Sequence, residues 1–263
     1  MAEVTGFFTD GEAYERQMGR WSRSAGEVFI DWLSLPPALR WLDVGCGTGA
    51  FTELVLDRCA PKEISGIDPA EDQIAFARSR PGAKRASFRV GDAQSLPFDD
   101  AAFDVAAMAL VITFVPDPVK AVAEMKRVVK PGGTAATYMW DFLGKGFTQQ
   151  PFDDAFEAMN LAPPAPPRRA NSSLNSLNGF FQAAGLDRIE TRVIEITVSY
   201  PNFDDYWASQ TGLNNTMVQA MQKMTASEMA RFKAYLQEHL PTDATGSIAY
   251  PAKANAIRGF VPK

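Results

Sequence analysis

Histidine is nearly missing from this sequence: among 263 residues there is one, His239. It lies in the polar segment RFKAYLQEHLP, far from every other candidate site residue, and we interpret it as a surface residue near a helix end. A Ser-His-Asp triad and a metal site ligated by histidine are both disfavoured.

Cysteine is scarce as well. Cys46 and Cys59 could form one disulfide at most, and they lack the paired spacing of a zinc site. We therefore expect no metal site, and we expect a protein that is compatible with a reducing compartment.

Basic residues are outnumbered, with 26 Lys and Arg against 31 Asp and Glu and a net charge of -5. Nucleic-acid-binding proteins usually carry a basic patch, so such a partner is disfavoured, and we interpret the short cluster Arg168/Arg169 as solvated surface. The sequence has no run of eighteen apolar residues, and its N-terminus lacks the pattern of a signal peptide. These features predict a cytoplasmic protein without a membrane span.

What the sequence does have is a regular alternation of elements. From residue 39 onward, apolar strand-like runs alternate with helical periods, which predicts an α/β fold with a doubly wound sheet. The predicted strands are LRWLDVG, EISGID, RASFRVGDA, FDVAAMALVI, TAATYMW, DRIETRVIEITVSY and GSIAYPAKANAIRGFV. Pro131 and Gly132 are predicted to stop the helix before the fifth strand, and Pro251 indicates an edge or a bulge in the seventh.

The length suits one large domain with an insertion. We expect a single domain over residues 1–263. Its expected parts are a helical N-terminal segment (1–37), a core (38–140), a region of loop, helices and sixth strand (141–200), a helical insertion (201–245) and the last strand (246–263).

Three glycines in five residues, Gly45, Gly47 and Gly49, follow the first predicted strand. A strand, a glycine-rich turn and a helix form a cradle for a nucleotide or an anion, because glycine lets the backbone approach the ligand. Gly45, Gly47 and Ala50 also satisfy the dinucleotide pattern, with Asp68 as the ribose acceptor. Taken alone, the loop fits a nicotinamide-dependent dehydrogenase, or a tight turn without a ligand.

Four motifs in order, LDVGCGTG, IDPAEDQIAFAR, GDAQSLPF and KRVVKPGG, resemble those of class I S-adenosylmethionine-dependent methyltransferases over residues 40–140. The resemblance implies a Rossmann-like, mostly parallel sheet of seven strands whose last strand is antiparallel. It also implies S-adenosylmethionine as the cofactor, S-adenosylhomocysteine as the product and a helical lid before the core.

The resemblance assigns Asp43 to the ammonium group of the cofactor, Asp68 to the ribose hydroxyls, and Asp92 with the backbone N–H of Ala93 to the adenine. Without a ligand, Asp68 and Asp92 would be ordinary polar residues at strand ends. Gln73 departs from the family, which often has an apolar side chain there. The expected cofactor-binding residues are Tyr14, Arg20, Asp43, Gly45, Cys46, Gly47, Thr48, Gly49, Asp68, Pro69, Gln73, Gly91, Asp92, Ala93, Ala109 and Leu110.

In this family, the N-terminal segment and the insertions after the fifth and sixth strands usually build the acceptor pocket. Arg20 would pair with the carboxylate of the cofactor; the alternative is an amphipathic helix with solvated arginines. The expected pocket residues are Trp21, Thr113, Tyr138, Trp140, Phe142 and Trp207. Such an aromatic set is otherwise part of a core. As a pocket it would suit a small, apolar or aromatic acceptor.

Methyl transfer is an in-line displacement at an activated carbon, and alignment alone can supply about 7 to 11 kcal/mol of the barrier. A base is needed only if the nucleophile must lose a proton. Asp141, just after the fifth strand, is the predicted general base, and Thr113 stands where relatives often carry histidine or asparagine. The leading hypothesis is O-, N- or C-methylation of a small molecule by proximity. A dehydrogenase and a cofactor-binding pseudoenzyme remain the alternatives.

Overall fold

The computed structural model describes residues 20–164, 166–212 and 216–263. The strands are β1 (Arg40–Val44), β2 (Glu63–Asp68), β3 (Ser87–Val90), β4 (Phe103–Ala109), β5 (Val129–Trp140), β6 (Asp187–Tyr200) and β7 (Ile248–Phe260). The helices are α1 (Arg20–Leu33), α2 (Ala50–Cys59), α3 (Glu71–Ser79), α4 (Pro118–Val128), α5 (Gln150–Ala158), α6 (Leu174–Ala183), α7 (Phe203–Thr211), α8 (Thr216–Met221) and α9 (Ala226–His239). Tyr14 and the side chain of Arg20 lie outside the described residues. Of the helices described, none has the length and apolar character needed to cross a membrane.

The strands form one sheet in the order β3-β2-β1-β4-β5-β7-β6. β1 pairs in parallel with β2 and β4, and β4 pairs in parallel with β5. β7 lies between β5 and β6 and is antiparallel to both. The α/β class and the seven strands with an antiparallel last strand are thereby confirmed for the described residues. The strand order reverses between β1 and β4, and open α/β sheets bind ligands at the carboxyl ends of such strands.

Pro251 lies in a part of β7 that pairs with one neighbour only. It pairs with Thr197 of β6, whereas β5 pairs only with residues 254–260 of β7. Proline has no N–H to donate, and it is tolerated where one side of a strand is unpaired. The predicted edge is therefore a local one within an otherwise interior strand.

The helix before β5 stops earlier than predicted. α4 ends at Val128, and the backbone of Val129 is already extended, so Pro131 and Gly132 lie within β5 instead of ending the helix. The β-branched valines favour the extended conformation. Gly132 has a φ of +79°, which allows a bend at the start of the strand.

Apolar side chains cover both faces of the sheet. On one face, Tyr138 of β5 packs against Phe29 of α1 at a ring distance of 4.6 Å. Phe152 of α5 and Phe232 of α9 belong to the same cluster, with their rings 5.3 Å apart. α4 and α6 cover the other face. The N-terminal helix and the insertion between β6 and β7 therefore share one core with the sheet.

Candidate cofactor and acceptor site

The segment from Gly45 to Gly49, called the glycine loop below, joins β1 to α2. Its glycines have φ values of +74°, +51° and +80°, a region that strongly favours glycine. A Cβ on Gly45 would lie 2.6 Å from Val111 Cγ1 and clash. A Cβ on Gly47 would have only Gln73 Oε1 near it, at 3.8 Å. The loop therefore packs closely at Gly45 and leaves bare backbone facing open space at Gly47.

Asp68, at the end of β2, holds the glycine loop in place. Its Oδ2 accepts the N–H of Gly47 at 3.0 Å, and its Oδ1 accepts the N–H of Ala70 at 2.9 Å. Burial raises the pKa of this carboxyl, and the two backbone hydrogen bonds offset part of the rise. A carboxylate has about four acceptor positions, so Asp68 can order the loop and still accept from a ligand.

Asp43, in β1, is 1% exposed. Its Oδ2 accepts the hydroxyl of Thr52 at 2.6 Å. The backbone N–H of Thr52 also lies near the carboxylate and lowers its pKa. The other oxygen, Oδ1, is buried and forms no hydrogen bond with the described residues. Burial raises the pKa of Asp43 to about 7; the contacts of Thr52 offset part of this rise, and the charge of Asp68 adds to it. A buried carboxylate with an unsatisfied oxygen is costly unless a cation or a donor joins it.

Asp92 follows β3 and is exposed. Its Oδ1 accepts the backbone N–H of Gln94 at 2.9 Å, and the side-chain amide of Gln94 lies 3.1 Å from both carboxylate oxygens. The N–H of Gly91 donates to the backbone oxygen of Asp68 at 3.0 Å. The carboxyl ends of neighbouring strands thus bring Asp43, Asp68 and Asp92 to one edge of the sheet, called the carboxyl edge below.

Most of the expected cofactor residues lie at the carboxyl ends of β1 to β4 or shortly after them. They are Gly45, Cys46, Gly47, Thr48, Gly49, Asp68, Pro69, Gln73, Gly91, Asp92, Ala93, Ala109 and Leu110. Leu110 has a φ of +62°, which is costly for leucine, and such strain concentrates at functional sites. Its N–H donates to the oxygen of Tyr138 at 2.9 Å. Sequence reasoning found this edge through its motifs but missed Thr52 and Gln94, which orient the carboxylates.

Arg168, from the cluster predicted to be solvated surface, is exposed and also contacts the turn after β4. Its Nη1 donates to the backbone oxygen of Thr113 at 3.5 Å. Thr113 is fully buried, and its hydroxyl donates to the sulfur of Met139 at 3.7 Å. Arg168 therefore brings a positive charge to the carboxyl edge.

Several expected pocket residues have aromatic partners. Trp21 of α1 donates from Nε1 to the hydroxyl of Tyr200 at 3.1 Å, and Tyr138 is 1% exposed. Trp207 stacks on Phe152 at 5.8 Å. These contacts favour the core interpretation for Tyr138 and Trp207, and a role in acceptor binding stays a prediction. Phe142 contacts Phe147 at 4.7 Å, in the loop after β5.

Asp141 helps to form a turn. Its Oδ1 accepts the N–H of Gly144 at 2.9 Å, and its backbone oxygen accepts the N–H of Gly146 at 2.9 Å. These bonds give the side chain a structural function. Its role as a general base stays a prediction. His239, as expected, is exposed at the end of α9, where it stacks on Tyr235.

Sequence reasoning missed one further carboxyl, Asp153 of α5. Burial raises its pKa to about 7; the charges of Asp154 and Glu157 add to the rise, while Arg169 and Lys145 oppose it. No local pattern marked it, because its environment comes from several segments.

Comparison with known proteins identifies a domain within the chain. Residues 42–137 match a family described as methyltransferase domain. That region contains the glycine loop, Asp68, Asp92 and β4, and the sheet has the order of the Rossmann-like methyltransferase fold. Residues 42–137 are therefore similar to a class I S-adenosylmethionine-dependent methyltransferase domain, and solved structures with the same fold contain S-adenosylmethionine or S-adenosylhomocysteine.

Two curated relatives show how the similarity is distributed. A ubiquinone/menaquinone biosynthesis C-methyltransferase from Dinoroseobacter shibae is 34% identical over 52% of this chain and 56% of its own length. A trans-aconitate 2-methyltransferase from Variovorax paradoxus is 26% identical over 90% of this chain and 93% of its own. Of three other curated relatives, the chain covers only 42%, 33% and 37% of their lengths.

A solved structure shows the same fold at lower identity. Phosphoethanolamine N-methyltransferase 2 from Haemonchus contortus, in complex with phosphomonomethylethanolamine and S-adenosylhomocysteine, has a TM-score of 0.57 and 17% identity. The match covers 96% of this chain and 57% of that one. The comparison extends the shared fold beyond the matched domain to the rest of the chain.

Proposed function

We propose that this protein transfers the methyl group of S-adenosylmethionine to a small molecule, at an oxygen, nitrogen or carbon atom. The observation that carries the proposal is the buried Asp43 Oδ1 without a hydrogen bond, at the end of a strand that leads into the glycine loop. An ammonium group is the natural partner of such an oxygen, and the amino acid part of S-adenosylmethionine has one.

The other residues at the carboxyl edge fit the same cofactor. Asp68 has acceptor capacity left for two ribose hydroxyls, and the backbone at Gly47 is open to a ligand. Asp92 is exposed and oriented by Gln94, as a partner of the adenine amino group would be. When bound, the cofactor supplies a methyl group on a positively charged sulfur. The protein then has to align the acceptor and exclude water.

The acceptor pocket would lie over the carboxyl ends of β4 and β5, under α1 and the insertion helices. Support comes from the buried aromatic side chains there, Trp21, Trp140 and Phe152, which suit an apolar or aromatic body. The relative that acts on trans-aconitate matches this chain through the insertion as well. The relative that is a C-methyltransferase matches over half of the chain. The methylated atom is thus open within this proposal.

Calorimetric titration with S-adenosylhomocysteine tests the cofactor site first. We expect micromolar binding, no binding of NAD, and about a 10- to 100-fold loss in Asp68→Ala, from the charge-assisted contact that disappears. Asp204→Ala, which removes an exposed carboxylate of the insertion, is the matched control and should bind normally. Binding of NAD in place of S-adenosylhomocysteine would contradict the proposal and revive the dehydrogenase alternative.

Incubation with labelled methyl donor and a panel of small acids, phenols and amines tests the chemistry. Transfer to any of them supports the enzyme. Tight cofactor binding without transfer to any acceptor class would favour the pseudoenzyme alternative.

A further inference from the structure

A cavity lies at the edge of the sheet opposite the carboxyl edge. Among the described residues its volume is about 310 Å³. It is found where α1 and α2 end, beside the start of β1, and Trp41 is one of the residues that line it. Because a strand rises about 3.3 Å per residue, Trp41 and Gly45 are roughly 13 Å apart along β1. The cavity is therefore separate from the site proposed for the cofactor.

Buried apolar side chains form the inner part of the cavity, and exposed residues form its rim. Ile30 and Leu33 of α1 are 8% and 2% exposed, and Trp41 is 1% exposed. At the rim, the guanidinium of Arg58 in α2 pairs with the carboxylate of Asp31 in α1 at 2.8 Å. The inner part can therefore contact an apolar molecule, while the two charges at the rim balance each other.

One hydrogen-bond donor of the cavity lacks an acceptor. Nε1 of Trp41 is buried and forms no hydrogen bond with any described residue. Backbone groups of the lining segments are paired, since the N–H of Ser34 donates to the oxygen of Ile30 at 3.1 Å and the N–H of Ala38 donates to the oxygen of Ala60 at 2.9 Å. Native proteins leave few buried donors unsatisfied, and each one calls for an explanation. A molecule in the cavity with an acceptor atom would supply the missing partner.

The groups around the cavity favour an uncharged molecule. Both α1 and α2 end there, and the C-terminal end of a helix carries a partial negative charge that disfavours an anion. The indole of Trp41 is a donor only, so it disfavours a cation at the inner end. Burial raises the pKa of the Cys59 thiol to about 11, while Arg58 opposes the rise and Asp31 adds to it. This thiol is therefore neutral near pH 7, and the cavity offers no free charge to a ligand.

We propose that this cavity is a second small-molecule site, for an uncharged molecule with an aromatic or apolar body and an oxygen that accepts a hydrogen bond from Trp41 Nε1. The volume is at the lower end of the range of small-molecule pockets, about 300 to 1,000 Å³, so the molecule is small. Its body contacts the ends of α1 and α2. The inference does not depend on the proposed methyl transfer, and both sites can be occupied at once.

Cys59 reports whether the cavity is occupied, because it is one of the lining residues. The test molecule is acetophenone, which has one ring and one carbonyl oxygen. Iodoacetamide alkylates the thiol at about pH 9, where part of it is ionised, and peptide mass spectrometry gives the rate at each cysteine. Acetophenone at millimolar concentration should slow alkylation of Cys59 several-fold, with and without S-adenosylhomocysteine.

Cys46, which is 6% exposed in the glycine loop, is the internal reference, and acetophenone should not change its rate. Unchanged alkylation of Cys59 would overturn the inference. Competition between acetophenone and S-adenosylhomocysteine would also overturn it, because acetophenone would then bind at the carboxyl edge.

Two further molecules test the chemical class. Ethylbenzene is similar in shape to acetophenone but has no oxygen, and benzoate carries a negative charge. At equal concentration, both should slow alkylation of Cys59 less than acetophenone does. Equal protection by ethylbenzene would overturn the hydrogen bond to Trp41, and stronger protection by benzoate would overturn the uncharged class.

Trp41→Phe tests the donor. Phenylalanine keeps an aromatic side chain in the lining but has no N–H. The affinity for acetophenone should fall about 3- to 10-fold, the usual effect of losing one neutral hydrogen bond. The advantage of acetophenone over ethylbenzene should disappear in this variant. If both molecules lose protection equally, the donor function fails and only a packing effect remains.

Trp140→Phe is the matched control. Trp140 is 2% exposed, and its Nε1 also forms no hydrogen bond with the described residues, but it lies at the carboxyl end of β5 and is not among the residues that line this cavity. Protection of Cys59 by acetophenone should be unchanged. Equal weakening by Trp41→Phe and Trp140→Phe would overturn the assignment, because a general loss of packing would then explain both.

Discussion

The hydroxyl of Thr52, in the first turn of α2, donates to Oδ2 of Asp43, in β1, at 2.6 Å. This bond connects the two elements on either side of the glycine loop and turns the carboxylate so that its other oxygen is left buried without a hydrogen bond. The protein thus maintains an unfavourable group at the place where we propose that the ammonium group of the cofactor binds.

Replacing Asp43 with asparagine should weaken cofactor binding while it raises the stability of the protein without ligand. Asp43→Asn should weaken S-adenosylhomocysteine binding about 10- to 100-fold, since a charge-assisted contact is lost. The same variant should be more stable than the wild type at pH 8 without ligand, by at most about 4 kcal/mol, because a buried ionised group is removed. Chemical denaturation and calorimetry measure the two effects. A variant that is both less stable and normal in binding would refute the assignment.

Asp43 also predicts a pH dependence of stability. Its pKa is about 7 in the folded protein against 3.8 in the unfolded chain, so the folded state binds the proton more tightly. The resulting stabilisation is complete below about pH 4 and is lost as the pH rises towards 7. The free energy of unfolding of the wild type, measured against that of Asp43→Asn, should fall across this range. A flat difference would show that Asp43 is ionised throughout.

Cofactor affinity should rise with pH, whereas the contribution of Asp43 to stability falls. The ammonium group is expected to bind the ionised form of Asp43, which becomes the major form only above about pH 7. The affinity for S-adenosylhomocysteine should therefore rise from pH 5.5 to 7.5 and then level off, and Asp43→Asn should abolish most of the rise. Calorimetric titration at several pH values provides the measurement.

Asp141→Asn distinguishes a turn residue from a general base. Asparagine keeps an oxygen that can accept the N–H of Gly144, so stability should change by less than about 0.5 kcal/mol. If the acceptor loses no proton during transfer, no base is needed, and kcat should stay within about tenfold of the wild type. A loss of 100-fold or more at normal stability would instead support the general base predicted from the sequence.

Tyr200→Phe tests the link between α1 and the insertion. The hydroxyl of Tyr200 accepts Trp21 Nε1 at 3.1 Å and Gln210 Nε2 at 2.8 Å. Its removal should lower the free energy of unfolding by about 1 to 3 kcal/mol, the usual effect of losing a buried acceptor. Tyr235→Phe, in the outer part of α9, is the control and should have little effect. Similar stabilities of the two variants would contradict the structural importance of this hydroxyl.

Local patterns in the sequence were sufficient for the strands, for most helices and for the carboxyl edge. The glycine loop and the acidic residues at strand ends lie within a few residues of one another, so Asp43, Asp68 and Asp92 could be placed together from motif order and strand topology alone. Boundaries that depend on pairing were less predictable. β5 begins at Val129 instead of after Gly132, because the strand continues alongside β4 and β7 once α4 ends.

The sequence by itself determined the α/β class, the position of the carboxyl edge and the motifs of the methyltransferase domain, because these depend on short-range periodicity and contiguous motifs. Only the tertiary structure placed β7 between β5 and β6, with Pro251 at a local edge. It alone brought Arg168 to Thr113 and Trp21 to Tyr200, the latter pair 179 residues apart. It also raised the pKa of Asp43, because burial results from the surrounding segments together. Contacts between distant segments leave no local pattern, and the proposed acceptor pocket would depend on such contacts.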